Sequence, residues 1–95
     1  MKAGGSGGID CGRAGQALQV IRRNRRSQTK ASLAAAAEAL GYEIDRARGR
    51  GSHWWARQAN QPRFPIPTGR DPVSIGVTTR ILSILEGVFE DVCKS

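Results

Sequence analysis

Apolar residues in the first half of the chain recur three and four apart. Ala14, Ala17, Leu18 and Ile21 form one helical stripe. It predicts a helix over 14–26 that ends in Arg22, Arg23, Arg25 and Arg26. Cations suit a helix C-terminus because its exposed carbonyls carry partial negative charge. The same four arginines also make a candidate phosphate-contacting patch, and the sequence leaves both readings open. "SQTKASLAAAAEALG" predicts a second helix, with Ser27 or Thr29 capping its first amides. Leu33, Ala36, Ala37 and Leu40 are its core stripe, and Gly41 is placed to end it in a left-handed turn.

After Gly41 the period changes to two. "YEIDRAR", "HWWARQA" and "RFPIP" read as three short strands separated by "GRGS" and "NQP" turns. Pro65 cannot donate to a ladder, so the third strand belongs at a sheet edge. "TGRDPVSIGV" reads as a loop. Ile81, Leu82, Ile84, Leu85, Val88, Phe89 and Val92 then give the strongest amphipathic helix in the chain, with Thr78 as its expected cap. Residues 1–13 are glycine-rich and aperiodic, and are expected to be a disordered tail. The expected fold is α+β: one domain over 14–95, a three-stranded antiparallel sheet with helices on one face.

Length and charge narrow the partners. A chain of 95 residues holds one domain, with no room for separate cofactor and substrate domains. Fifteen Lys+Arg against eight Asp+Glu give a net charge of +7, most of it arginine. Such a surface attracts nucleic acid or an acidic protein; the plainer reading is a self-repelling, soluble surface. Cys11 and Cys93 have no second Cys or His at metal-ligand spacing, so neither zinc nor another cofactor is expected. No apolar run follows Met1-Lys2, and no stretch approaches the ~20 apolar residues of a membrane span. These features predict a cytoplasmic protein with two reduced thiols and no membrane partner.

The candidate chemistry sits in "RGRGSHWWAR", residues 48–57, which holds the one histidine and both tryptophans. Metal-dependent phosphodiester cleavage needs converging carboxylates, and the eight acids here are scattered. Ser52 and His53 are adjacent, and consecutive strand side chains point to opposite faces, which disfavours a serine hydrolase. What remains is an imidazole among arginines. RNA carries its own nucleophile, the 2′-hydroxyl, and imidazole is the side chain suited to take that proton near neutrality. Arg48, Arg50 and Arg57 can neutralise charge growing on phosphate oxygens. In an extended strand His53, Trp55 and Arg57 share one face, where Trp55 can stack on an unpaired base; Trp54 and Ala56 face the core. Gly51 and Ser52 shape the turn and let backbone amides approach a phosphate. The structural alternative is a histidine at a strand start, packed tryptophans and a soluble arginine-glycine turn.

The stretch "ALGYEIDRARGRGSHWWAR" resembles the signature of HicA-type mRNA interferase toxins, and "SIL" at 83–85 is similar to that family's closing helix. The resemblance spans Leu33 to Leu85. It implies a fold like the double-stranded-RNA-binding domain, preceded here by an extra N-terminal helix. It implies a metal-independent endoribonuclease acting on mRNA, with His53 as the catalytic residue and a HicB-type antitoxin as protein partner. Many members carry a second histidine after the third strand; here Pro67 is followed by Thr68 and Gly69. A non-catalytic RNA-binding module is therefore the alternative.

Overall fold

The computed structural model describes residues 8–46 and 53–94. Its elements are α1 (Cys11–Arg23), a 3-10 turn (Arg25–Ser27), α2 (Lys30–Ala39), β1 (Glu43–Asp45), β2 (His53–Arg57), β3 (Phe64–Pro67) and α3 (Ile75–Cys93). The strands form one antiparallel sheet in the order β1-β2-β3. Ile44 faces Ala56 in the first pairing; Ala56 faces Phe64 and His53 faces Pro67 in the second. The proline-bearing strand lies at the edge, as its missing N–H groups require.

The helix ends depart from expectation for local reasons. The Asp10 carboxylate accepts from the Arg13 amide at 3.0 Å, so α1 starts at Cys11, inside the segment expected to be a tail. At its other end Asn24 leaves helical geometry and the chain tightens into the 3-10 turn, so the expected helix over 14–26 stops at Arg23. Thr29, not Ser27, caps α2, and its hydroxyl and that of Ser32 form a reciprocal capping box. Gly41 closes α2 with φ +96°, where a Cβ would also meet the Gln58 amide at 2.9 Å. Ser74 caps α3, so that helix begins in the expected loop, ahead of Thr78. Thr78 is instead fully buried.

Leu33, Ala36 and Ala37 of α2, with Leu40 at its C-cap, meet Ala56, Phe64 and Ile66 of the sheet and Ile81, Leu85 and Val88 of α3 in one core. The alanines of α2 keep side chains short and let the sheet and helices approach closely. α2 lies against β1 and β3, and α1 packs on α2 and α3. The outer sheet face stays uncovered by helices: His53, Trp55 and Arg57 are exposed there while Ala56 is buried beneath. Among the described residues no helix is long and apolar enough to cross a membrane.

Cys11 and Cys93 are joined in a disulfide, with Cα atoms 5.7 Å apart. This corrects the expectation of two reduced thiols. The start of α1 lies against the end of α3, so cysteines 82 positions apart in sequence become neighbours.

Two predictions arise here. Gly87 lies mid-α3 with open space where a Cβ would stand. Gly87→Ala should stabilise the protein by up to ~1 kcal/mol, read as a raised midpoint in urea. The second concerns Asp71, whose carboxylate accepts from both the Nζ (2.8 Å) and the backbone amide (2.9 Å) of Lys30. These hydrogen bonds hold its pKa below the ordinary carboxylate value. A depressed folded-state pKa stabilises the fold above the unfolded-state value and loses that contribution as pH falls through the folded one. Asp71→Asn should therefore unfold more easily than wild type at neutral pH. The gap should close under strong acid, below the ordinary carboxylate pKa.

Candidate nucleic-acid interface

β2 organises the site. Its strict alternation sends His53, Trp55 and Arg57 outward, and Ala56 with the half-buried Trp54 inward. Register then decides what surrounds each outward side chain. Asp45 pairs with Trp55 across β1–β2, and from there its carboxylate reaches the Arg57 guanidinium at 3.2 Å. Arg57 is thus already paired with a neighbouring carboxylate. Such an exposed pair is weak, worth ~0–1 kcal/mol, and a phosphate can compete for the guanidinium.

On the other side, Arg63 lies over the Trp55 ring, 5.6 Å from its centroid. Trp55 keeps 39% exposure, enough ring to meet a base. The Arg63 segment is anchored by Tyr42, whose hydroxyl donates to the Pro62 carbonyl and whose ring meets Phe64 edge-on at 5.3 Å. Burial pushes the Tyr42 hydroxyl pKa up to about 12, so it stays a protonated donor across the physiological range. Trp54 has a cation of its own: Arg46 sits 4.5 Å from its ring centroid.

His53 opens onto a groove of about 250 Å³ along the β3 edge. Arg63 and Arg80 line it, together with the apolar Pro65, Pro67, Val77 and Ile84. The exposed imidazole therefore shares a concave surface with two arginines from distant parts of the chain. Neither belongs to the set expected from sequence. A signal for Arg80 existed: Val77, Arg80, Ile81 and Ile84 fall at i, i+3, i+4 and i+7. A cation interrupting that stripe marks where the stripe leaves the core.

Arg48, Arg50, Gly51 and Ser52 lie outside the described residues. Of the expected site residues, β2 brings His53, Trp55 and Arg57 onto one face. Among the described residues no three His, Cys, Asp or Glu side chains are grouped to hold a metal ion.

No family model, curated protein or solved structure matches this chain.

Proposed function

We propose that the chain binds single-stranded RNA across the outer sheet face and the His53 groove, and cleaves it without a metal ion. The observation that carries the reading is one exposed histidine sharing a groove with Arg63 and Arg80, next to a partly exposed tryptophan. Trp55 stacks on an unpaired base, which only a single strand presents freely. Arg63 and Arg80 hold the adjoining phosphate, and Arg48, Arg50, Gly51 and Ser52, which precede His53 in the sequence, add to that contact.

His53 takes the proton of the ribose 2′-hydroxyl. The 2′-oxygen forms a bond to phosphorus and the bond from phosphorus to the 5′-oxygen breaks. The departing 5′-oxygen takes a proton from water, and the hydroxide so formed takes back the proton held by His53, so no net proton is consumed. The products are a 2′,3′-cyclic phosphate and a 5′-hydroxyl end. The arginines stabilise charge on the non-bridging oxygens as the fifth bond forms. The α+β topology and the likeness of "GYEIDRARGRGSHWWAR" to HicA-type toxins support the same reading, including the double-stranded-RNA-binding-like class and mRNA as substrate. A HicB-type antitoxin, acidic enough to cover this cationic face, is the protein partner; both would meet mRNA in the cytoplasm, where the Cys11–Cys93 bridge has to withstand a reducing thiol pool.

The position after Pro67, where many of those toxins carry a second histidine, holds Thr68. This favours one other reading, an RNA-binding module that does not cut. Purified protein incubated with single-stranded RNA in EDTA separates the two. Cleavage that persists in EDTA and yields cyclic phosphate ends supports the nuclease. Abolition by EDTA overturns the metal-free mechanism, and stable binding of intact RNA leaves the module.

A further inference from the structure

We infer a second phosphate-binding surface at the corner where α1 ends and α3 begins, which anchors RNA leaving the His53 groove; this rests on the RNA reading above. Arg22, Arg23, Arg25 and Arg26 line a concave shelf of about 360 Å³ there, together with Asn24 and the exposed Ile75. Compensation of the α1 dipole accounts for only part of this cluster. Arg22 and Arg23 occupy the last turn of α1, but Arg25 and Arg26 lie beyond its cap, in the 3-10 turn. The dipole's influence fades within the last turn.

The cluster is also poorly neutralised. Arg22 pairs with Glu86 at 2.6 Å, and Arg25 donates to the Thr79 hydroxyl. Arg23 and Arg26 form no ion pair among the described residues. The neighbouring end of α3 is its positive, N-terminal end, and its first turn carries no acid. α2 is arranged differently: the Asp71 carboxylate bonds its first amide. At the corner, cations instead face the positive end of a 19-residue helix. Apart from the Arg22–Glu86 and Arg25–Thr79 links, this juxtaposition of like charge opposes folding, whereas a bound polyanion is attracted by both.

The two basic features meet on α3. Arg80 lines the His53 groove, and Thr79, the residue before it, accepts from Arg25 of the corner. An RNA strand seated in the groove can therefore run over the first turns of α3 onto the arginine shelf. The partner chemistry is a flexible phosphodiester backbone read without regard to base, because the shelf offers guanidinium groups and no aromatic ring.

The test uses a short fluorescein-labelled single-stranded RNA and anisotropy over a salt series. Arg23→Gln/Arg26→Gln should weaken binding at least ~5-fold near physiological salt and flatten the log K against log salt slope by ~1.4, or ~0.7 for each lost contact. The control, Arg13→Gln/Lys94→Gln, removes the same charge from the opposite end of the α1–α3 pair and should leave both nearly unchanged. Equal losses in the two double variants would reduce the corner to bulk charge and overturn the inference, as would wild-type affinity and slope in the corner variant. In cleavage assays the corner variant should raise KM and leave kcat alone, since no corner residue touches reacting atoms. If no RNA is ever cut, the nuclease reading fails while the binding comparison still decides the corner. Wild-type RNA affinity in the corner variant, together with its loss of binding to an acidic protein, would assign the shelf to that protein instead.

Discussion

His53→Ala should lower RNA cleavage by at least ~100-fold, the ordinary contribution of a positioned general base. RNA affinity should change little, because the groove keeps Arg63 and Arg80 and the strand face keeps Trp55. The melting temperature should also hold, since the side chain is exposed at the start of β2 and supports no part of the core. This combination is what makes the variant informative: rate lost, binding and fold retained. A variant that cleaves as fast as wild type removes His53 from the chemistry. A variant that loses affinity in step with rate makes the imidazole a binding group. Trp55→Ala should behave in the opposite sense, weakening affinity by about 1–3 kcal/mol per stacked base while sparing the chemical step.

The second large effect concerns the disulfide. Cys11 and Cys93 enclose nearly the whole domain in one covalent loop, with a sequence separation of 82. Closing so long a loop removes conformations mainly from the unfolded chain, and the chain-entropy relation gives about 4.5 kcal/mol, near the top of the range for one cross-link. Cys11→Ala/Cys93→Ala, or reduction of wild type, should lower the unfolding free energy by roughly 2–4 kcal/mol. For a domain of this length that is a large part of the ~5–15 kcal/mol typical of folded proteins. Urea titrations with and without reductant measure it directly. Identical midpoints would mean that the bridge does not form in solution.

The sheet and its outward face were readable because strand chemistry is local. Alternation in "HWWAR" fixed which side chains of β2 share a face before any partner strand was known, and Pro65 placed β3 at the edge. Helix ends were less readable, because each is set by one side chain. Asp10 and Ser74 cap α1 and α3, but Gly12 and Gly76 follow them and mask the helical signal of the first turn. Pairing of Cys11 with Cys93 was beyond local reading. It depends on α1 and α3 running past one another, which no spacing between two cysteines encodes. The groove has the same origin. Arg63 precedes β3 and Arg80 sits in α3, and only tertiary packing brings them to His53.

The edge strand carries a consequence for how other proteins can meet this one. In the ladder with β2, Phe64 and Ile66 alternate with Pro65 and Pro67, the two residues that lack an N–H. The donors that remain in β3 serve β2, so its outward rim offers carbonyls but not the amides that an incoming strand needs for a continuous ladder. Another polypeptide cannot lengthen this sheet at β3 by β-augmentation, and copies of the chain cannot stack rim to rim there. Any protein that silences the groove must therefore lie over it with side chains, and its grip will depend on ionic strength rather than on shared backbone pairing.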